Sequence, residues 1–376
     1  MTDHSCDFLV IGCGMAGAAI ASHLARQASV LVLEMEDQPG YHSTGRSAAL
    51  FSENYGNATI RALSRASRDF LHSPPPGFCE APLLKPRAVL MFARSSQRAA
   101  FEQMLKSNAS PAASLDHVSA QAALELAGIL RPEGLLGGLL DRNAADIEVH
   151  ELHRGYIKAL KHRGGTLKLG ACVTEIRRDA GKWLVRCGEE SFRADVVVNA
   201  AGAWAGRVAR MAAAQDIQLQ PRRRTAALTD PPPGATPERW PFIVDVEEQI
   251  YMKPDAGLIL FSPADETAVD PCDAQPEDLD VAIAVERLQS ETTLEVHRIR
   301  RKWAGLRSFV QDRSPVIGYD HIQPGFFWVA ALGGYGIQTA PALSELAARL
   351  ALQDRAELRL AELQLTLNDL SPLRLR

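Results

Sequence analysis

The sequence predicts an α/β protein built from two domains. Its 376 residues exceed what a single ordinary core organises. Near the N-terminus, two short apolar runs flank a glycine-rich turn and a helical stretch, which is typical of a parallel sheet covered by helices. The stretches 51–142 and 225–302 each contain three consecutive prolines and differ in character from their surroundings. We therefore expect these two insertions to form a second, α+β domain on a mixed or antiparallel sheet.

Composition limits the possible partners. The formal net charge of −4 gives no reason to expect a nucleic acid or an anionic membrane as partner. Six cysteines without a CxxC pair indicate a reducing compartment and no zinc site. No apolar run approaches the roughly 20 residues that span a bilayer, and the N-terminus lacks the basic region of a secretory signal. We expect a cytoplasmic protein, with peripheral contact to the inner membrane left open.

The N-terminal region predicts a dinucleotide-binding turn. Apolar runs at 8–11 and 30–33 predict buried strands, and between them Gly12-Cys13-Gly14-Met15-Ala16-Gly17 opens a helical stretch over 18–26. Glu34 follows the second strand, where its carboxylate can accept hydrogen bonds from ribose hydroxyls. The helix N-terminus offers free N–H groups to a pyrophosphate. A glycine-rich turn in an unrelated α/β protein is the alternative, which the two strands and the acid together disfavour.

Each glycine of this turn has an expected role. Gly12 permits the tight turn, Gly14 lets the backbone approach a pyrophosphate, and Gly17 lets the helix pack close to the sheet. No second turn of this kind follows a strand, and the loop 40–49 is rich in small and hydroxyl side chains. These two features favour FAD over NAD, although an ordinary surface loop would have a similar composition.

Later segments complete the predicted domains. A buried strand at 195–200 precedes Ala201 and Gly202, where small residues allow close approach to a cofactor. The glycine loop 333–339 feeds a helix and can stabilise negative charge on a reduced flavin, with a plain turn as the alternative. Strands predicted over 303–309 and 326–332 return to the first domain. We expect the FAD-binding domain to comprise 1–50, 143–224 and 303–376, and the substrate domain to comprise 51–142 and 225–302.

Five motifs carry a resemblance to a known enzyme family. They are the turn at 12–17, Ser43-Thr44-Gly45-Arg46-Ser47-Ala48, Asn199-Ala200-Ala201-Gly202-Ala203-Trp204, Trp303-Ala304-Gly305-Leu306-Arg307 and Gly333-Gly334-Tyr335-Gly336. In this order they resemble the D-amino-acid oxidase/sarcosine oxidase (DAO) family of FAD-dependent oxidoreductases. Over nearly the whole chain the resemblance is closest to bacterial FAD-dependent D-arginine dehydrogenases.

The resemblance implies a fold, a cofactor and a reaction. The fold is a Rossmann-like FAD-binding domain of the glutathione-reductase type with a substrate domain. The reaction is hydride transfer from an amine-bearing carbon to flavin N5, followed by hydrolysis of the imine to a keto acid and ammonia. FAD is expected to be non-covalent, because no cysteine lies near Arg307 or Gly318 as in monomeric sarcosine oxidases. The residues expected to contact FAD are Gly12, Gly14, Ala16, Gly17, Glu34, Met35, Ser43, Thr44, Gly45, Arg46, Ser47, Ala48, Val173, Ala201, Gly202, Gly333, Gly334, Tyr335, Gly336, Ile337 and Gln338.

An amino-acid substrate brings a carboxylate, which needs fixed positive charge and hydroxyl donors. Arg307 lies in an otherwise apolar strand, where an arginine is either a buried ion-pair partner or a ligand clamp. By resemblance, Arg224, Arg307, Tyr251 and Tyr55 correspond to the carboxylate-binding residues of D-arginine dehydrogenases. The Gly334 carbonyl would then face the substrate amine.

Two departures from that pattern bear on the substrate. D-arginine dehydrogenases carry a glutamate that holds the substrate guanidinium where Val89 stands, and a histidine where Leu50 stands. Losing the carboxylate removes the charged partner that a buried guanidinium needs. Leu50, Val89 and Met91 therefore suggest an apolar pocket for neutral or hydrophobic D-amino acids. Glu53 offers a negative charge from another direction, which leaves a basic substrate open.

Three other functions remain open from sequence. A sarcosine- or glycine-type amine oxidase of the same family would form peroxide rapidly with those amines. A flavoprotein with little catalysis would not be bleached by D-amino acids, and an NAD-dependent dehydrogenase would be colourless. The resemblance favours a dehydrogenase that passes electrons to an unidentified acceptor, a quinone or another compound, with oxygen left open.

Overall fold

The computed structural model describes residues 4–108, 115–354 and 356–376. In chain order the strands of this described part are β1 His4–Ile11, β2 Val30–Leu33, β3 Leu50–Phe51, β4 Leu84–Pro86, β5 Val89–Arg94, β6 Asp116–Ser119, β7 Leu135–Asp141, β8 Ala145–Ile147, β9 Thr166–Lys168, β10 Glu175–Asp179, β11 Lys182–Cys187, β12 Glu190–Asn199, β13 Gln220–Thr229, β14 Phe242–Asp245, β15 Tyr251–Asp255, β16 Leu258–Ser262, β17 Thr267–Ala268, β18 Ile299–Phe309, β19 Val316–Tyr319 and β20 Phe326–Ala330. The helices are α1 Met15–Leu24, α2 Ala58–His72, α3 Arg98–Asn108, α4 Ala120–Leu126, α5 Val149–His162, α6 Ala205–Met211, α7 Asp278–Glu291, α8 Ala340–Leu352 and α9 Ala356–Glu362.

Several strands of the first sheet end at the same edge, where the loops that follow them begin. Its strand order is β10-β11-β12-β1-β2-β9, with β20 beside β12 and β19 beside β20. β1 runs parallel to both β2 and β12, and Ile11 pairs with Leu33 on one side and Asn199 on the other. The carboxyl ends of these strands therefore coincide. In open α/β sheets this edge is where nucleotides bind.

The second sheet is mixed but mainly antiparallel. Its order is β17-β13-β16-β15-β14-β5-β7-β6, and β18 pairs with β13. Within it, β14 runs parallel to β5, whereas β15 and β16 form the hairpin expected across 254–257. A small third sheet consists of β3, β8 and β4. The predicted α/β fold with a mixed second sheet is confirmed.

One predicted strand belongs to a different sheet. Residues 303–309 form a strand as expected; this strand is part of β18, which pairs with β13 in the second sheet and not with the first sheet. The ladder joins ten residue pairs from Gln220–Phe309 to Thr229–Ile299 and provides backbone partners along most of β18. Residues 220–224 likewise lie in the second sheet, as the start of β13.

Helix α1 is the central packing element of the first domain. Ala18, Ala19 and Ala21 have no exposed surface, and neither have Ile20 and Leu24. Small alanine side chains let α5 and α8 pack closely on this helix. Burial of each large apolar side chain contributes about 1.5–3 kcal/mol. The glycine turn that precedes α1 is therefore held on a rigid base. Within the described residues, no helix is long and apolar enough to cross a bilayer.

Candidate active site

The glycine turn adopts the conformation that its sequence requires. Gly12 has a φ of +98°, and a β-carbon there would lie 2.6 Å from the Ala200 carbonyl oxygen. A β-carbon on Gly17 would overlap the Gly12 carbonyl oxygen, so the helix can pack on the turn only because position 17 lacks a side chain. Gly14 is the N-cap of α1. These three positions thus hold the helix N-terminus at the edge of the first sheet.

Glu34 stabilises the same turn through hydrogen bonds to the backbone. Its carboxylate accepts hydrogen bonds from the backbone N–H of Cys13 at 2.6 Å and of Glu36 at 3.1 Å, and the side chain is 7% exposed. The turn and the end of β2 are therefore joined through this carboxylate. Burial, together with the neighbouring charge of Glu34, raises the pKa of the Cys13 thiol to about 12.

A cavity of about 720 Å³ lies along this edge of the sheet. It reaches from the region of Glu34 and Val173 to that of Arg307 and Tyr251. The predicted residues that line it are Gly12, Gly14, Ala16, Glu34, Met35, Ser43, Thr44, Arg46, Ser47, Ala48, Val173, Ala201, Gly202, Arg224, Tyr251, Arg307, Gly333, Gly334, Gly336 and Ile337. This volume falls in the usual range for cofactor sites.

Some predicted contact residues lie outside the lining. They are Gly17, Gly45, Tyr335 and Gln338 from the cofactor set and Tyr55, Leu50, Val89, Met91 and Glu53 from the substrate set. Gly17 is instead needed for helix packing. Gln338 is 3% exposed, and its side-chain oxygen accepts a hydrogen bond from the backbone of Ser52 at 3.1 Å.

The 40–49 loop connects the two sheets. Thr44 Oγ1 accepts from the Met15 N–H at 2.9 Å, and Ser43 Oγ donates to the Leu306 carbonyl at 2.6 Å. The Arg46 guanidinium donates to the Ala304 carbonyl at 3.1 Å and also pairs with Asp273. Trp303 Nε1 in turn donates to the Arg46 carbonyl at 3.0 Å. The loop is therefore fixed to β18 on one side and to α1 on the other.

Within the described part of the chain, Arg307 forms no salt bridge, and Glu248 acts on it only from a longer distance. The ion-pair interpretation is therefore without support. Burial disfavours its charge, but the phenolic oxygens of Tyr55 and Tyr251 more than offset this and raise the pKa of Arg307. The Tyr55 oxygen accepts a hydrogen bond from Arg307, and Tyr55 is a neutral phenol because burial raises its pKa well above the usual value.

Arg224 has a different environment. Its Nη2 lies 3.2 Å from Glu266 Oε1, and its Nε donates to the Asp265 carbonyl at 2.8 Å. Glu266 also binds Arg313 through both carboxylate oxygens, at 2.7 and 3.0 Å. The guanidinium of Arg224 lies 6.0 Å from the centre of the Tyr251 ring. Arg224 thus reaches the cavity with its charge largely balanced, and Arg307 supplies the unbalanced positive charge.

The expected apolar pocket residues lie behind the cavity wall. Val89 pairs with Phe242 across the sheet, and the Phe242 ring stacks on Tyr251 at 5.4 Å. Leu50 and Met91 pack against the same cluster. Leu50, Val89 and Met91 do not appear in the cavity lining and pack in one cluster with Tyr251. Their part in an apolar substrate pocket stays a prediction.

Glu53 does not supply the expected negative charge, because it lies outside the cavity lining and pairs with Arg68 at 3.2 Å. Glu248 is the acid that acts on Arg224 and Arg307 instead, although it too lies outside the cavity lining. It lies in the turn between β14 and β15 with a φ of +53°; the residue is exposed, but neighbouring protein groups partly desolvate its carboxyl. This desolvation raises the pKa of Glu248, and the positive charges of Arg224 and Arg307 offset the rise in part. No motif in the sequence marks this residue; its only signal is a place three residues before Tyr251, the first residue of β15.

Several residues of the cavity lining were not predicted from the sequence. His42 Nε2 lies 2.8 Å from Glu36 Oε1, and the His42 ring contacts Trp204 at a centroid distance of 4.5 Å. Trp204, Arg207 and Arg210 line the same part of the cavity. The signal available for Trp204 was its place directly after the small residues that follow β12.

These observations fit FAD. The glycine turn, the acid at the end of β2 and the long cavity suit a dinucleotide, and Gly202 has open space where a β-carbon would be. Comparison with known proteins agrees: the profile of the family described as FAD dependent oxidoreductase (DAO) matches residues 7–350. The chain belongs to this family of FAD-dependent oxidoreductases. FAD is its cofactor.

Three similar proteins illustrate the range of relatives. Mitochondrial dimethylglycine dehydrogenase from Mus musculus is 30% identical over 142 residues, which cover 37% of this chain and only 16% of that enzyme. The FAD-bound L-alpha-glycerophosphate oxidase from Mycoplasma pneumoniae superposes with a TM-score of 0.81 at 19% identity, covering 93% of this chain and 95% of that one. Glycine oxidase from Geobacillus kaustophilus gives 0.78 at 19% identity, with 94% and 96% covered. At these identities the two structures establish the shared fold.

Proposed function

We propose that the protein catalyses FAD-dependent oxidative deamination of D-amino acids with neutral or hydrophobic side chains. The observation that carries this proposal is the unpaired guanidinium of Arg307 in the cavity. It faces phenolic groups and packs against Gly334. A guanidinium binds a carboxylate through two parallel hydrogen bonds, and an amino acid presents such a group next to its reacting carbon.

The residues around Arg307 would bind and orient the substrate. Arg307 and the neutral phenol of Tyr55 would hold the carboxylate, with Tyr251 on the same side. The Gly334 carbonyl would accept a hydrogen bond from the substrate amine. Such positioning of reacting groups accounts for a large share of the rate enhancement in enzymes of this kind.

Bound FAD supplies the two-electron acceptor. The substrate loses a hydride from Cα and a proton from nitrogen, which leaves an imine. Water then hydrolyses the imine to a keto acid and ammonia. No side chain of unusual acidity is required, because the amine needs only to be neutral when the hydride leaves.

The proposed preference for substrates with neutral side chains follows from the charges near the cavity. Position 89 is a valine, and the Tyr251 wall is backed by Phe242, Leu50 and Met91. Glu248 is the acidic group near this region, but Arg224 and Arg307 already face it. A substrate guanidinium would therefore lack a free carboxylate partner, which costs several kcal/mol in a desolvated site.

An anaerobic flavin-reduction screen tests the proposal. The purified yellow protein is mixed with D- and L-amino acids, glycine, sarcosine and D-arginine, and bleaching of the flavin is followed. We expect D-Leu, D-Met or D-Phe to bleach it. A D-arginine rate higher by orders of magnitude would overturn the side-chain preference, and no bleaching by any amino acid would overturn the function. Repeating the productive reaction with oxygen or a quinone identifies the acceptor class.

The relatives support a second candidate, oxidation of a small N-methylated amine or glycine. Dimethylglycine dehydrogenase and glycine oxidase act on such compounds by their names. Both candidates use a carboxylate clamp, so Arg307 does not distinguish them. Faster reduction by sarcosine, dimethylglycine or glycine than by any bulkier D-amino acid would favour this second candidate.

A further inference from the structure

We propose that Asp141 is a positioning residue for Tyr55. The proposal rests on the function above, in which Tyr55 binds the substrate carboxylate. Asp141 is the last residue of β7 and pairs with Val89 of the neighbouring strand. It is 1% exposed and forms no salt bridge within the described part of the chain. A buried acid without a basic partner must be accounted for by its hydrogen bonds.

The hydrogen bonds of Asp141 go mainly to the segment that carries Tyr55. Ser52 Oγ donates to Asp141 Oδ2 at 2.6 Å, and Asn54 Nδ2 donates to the same oxygen at 2.9 Å. The other oxygen accepts from the backbone N–H of Asn143 at 3.1 Å. Two of the three residues directly before Tyr55 are thus anchored on one carboxylate oxygen.

Ser52 joins this anchor to the glycine loop. Its backbone N–H donates to Gln338 Oε1 at 3.1 Å, and its hydroxyl accepts from the Asn54 N–H at 3.2 Å. Gln338 belongs to the segment that begins with Gly333 and Gly334. The two segments that meet at Arg307 are therefore connected through Ser52.

The other contacts of Tyr55 are a hydrogen bond with Arg307, a long backbone hydrogen bond to the Ser52 carbonyl at 3.5 Å, and an edge-on ring contact with Tyr335 at a centroid distance of 5.0 Å. Gly56, which follows, has a φ of +90°, and a β-carbon there would lie 3.2 Å from the Tyr335 ring. A loop with a glycine in this conformation does not position a tyrosine by itself. Loss of the Asp141 acceptor would free the segment before Tyr55 and leave the phenol poorly placed over Arg307.

The experiment compares Asp141→Asn with Asp320→Asn in the FAD-loaded protein. Asp320 is a matched control: it is 6% exposed, accepts from Gln215 N–H and Trp328 Nε1, and lies outside the cavity lining. Amide hydrogen exchange over 51–57 is measured by mass spectrometry. We expect faster exchange there in Asp141→Asn and unchanged exchange in Asp320→Asn. Equal exchange in the two variants would overturn the proposal, whatever substrate the enzyme uses.

A double-mutant cycle with Tyr55→Phe tests whether Asp141 acts through Tyr55. The readouts are KM and kcat for the best D-amino acid and the Kd of benzoate, measured from the flavin spectrum. We expect Asp141→Asn to raise KM and the benzoate Kd about tenfold with Tyr55 present and by less than about twofold in the Tyr55→Phe background, with kcat changed less than KM. Additive effects would assign Asp141 a general structural role instead.

Ser52→Ala removes the hydrogen bond between Ser52 and Asp141 without changing the buried acid. This variant keeps the proposal testable if Asp141→Asn does not fold. Its matched control is Ser64→Ala, since Ser64 is also buried and donates to the Ile60 carbonyl at 2.9 Å within α2. We expect Ser52→Ala alone to reproduce the exchange and KM changes. If no amino acid reduces the flavin, the proposed function fails, while the exchange and benzoate measurements still decide the role of Asp141.

Discussion

The guanidinium of Arg307 lies directly against Gly334. A β-carbon on Gly334 would come within 2.8 Å of Nη1 and 2.9 Å of Cζ of Arg307. The glycine therefore leaves space for the arginine, and the arginine reaches the cavity over a backbone segment without side-chain bulk. This contact places a positive charge and a free backbone carbonyl side by side, an arrangement suited to a substrate with a carboxylate next to an amine.

Replacing Arg307 should weaken substrate binding without releasing FAD. In Arg307→Ala we expect KM for the best amino acid to rise about 100-fold, a loss of about 3 kcal/mol, because a desolvated charged pair is removed. FAD content, measured by absorbance, should stay at the wild-type level. The control is Arg300→Ala, since Arg300 forms an exposed pair with Asp230 and should have no measurable effect. An unchanged KM in Arg307→Ala would contradict the clamp.

Gly17 should not tolerate even a methyl group. In Gly17→Ala the new β-carbon would overlap the Gly12 carbonyl oxygen, so helix α1 must move from the turn. We expect a loss of about 1–3 kcal/mol in the free energy of unfolding, together with reduced FAD content. The control is Gly206→Ala, where the new β-carbon meets only a flexible arginine end at 3.9 Å. That variant should be neutral or slightly more stable in thermal unfolding. Full FAD content in Gly17→Ala would contradict the packing argument.

Val89→Glu should shift the substrate preference towards D-arginine. The longer side chain would add a carboxylate next to the Phe242–Tyr251 wall. We expect kcat/KM for D-arginine to rise about tenfold and that for D-leucine to fall, with some loss of stability because the site is buried. Val89→Gln provides the uncharged control of similar length. Equal changes in both variants would show that the charge at position 89 does not select the substrate.

Binding of carboxylates should weaken with increasing pH through Glu248. The pKa of this carboxyl is raised by burial, and Glu266, Arg313, Tyr55 and Tyr335 also surround the Arg224–Arg307 region that it faces. As the pH rises through that pKa, Glu248 becomes negative and competes for Arg307. The benzoate Kd measured between about pH 5 and 8 should therefore increase in the wild type.

Glu248→Gln should remove this pH dependence. Glu247→Gln is the control, because the exposed neighbour Glu247 should have no effect on the benzoate Kd.

The stability of the fold should also decrease with increasing pH through Glu248. A carboxyl whose folded pKa is raised contributes stability below its ordinary value of 4.5 and loses that contribution as the pH rises. Glu248→Gln should thus raise the Tm relative to wild type at pH 8 and not at pH 4. A parallel pH dependence in both proteins would contradict the competition.

Local patterns explain what could be predicted from the sequence. The turn at Gly12, Gly14 and Gly17 and the acid at Glu34 lie within one βαβ unit, where spacing along the chain determines spacing in the fold. Arg307 could be predicted as a site residue because a charged side chain in an apolar strand is costly unless it has a binding partner. These features depend on few long-range contacts.

The remaining features depend on which strands become neighbours. The strand 303–309 has an apolar pattern that suits either sheet, and only its pairing with β13 assigns it to the second. Glu248 acts on Arg307 from the β14–β15 turn, and Glu53 pairs with Arg68 of α2 instead. Sequence likewise does not show that Val89 pairs with Phe242 or that the Phe242 ring stacks on Tyr251.

The attachment of the 40–49 loop to β18 has a consequence for cofactor exchange. Ser43, Arg46 and Trp303 tie the loop to one sheet while Thr44 ties it to the helix of the other. If insertion or escape of the dinucleotide requires these hydrogen bonds to break together, the holoenzyme should keep its yellow colour through prolonged dialysis. Incorporation during biosynthesis is then easiest before the two sheets have closed on each other, which makes the cofactor a participant in the last stage of folding.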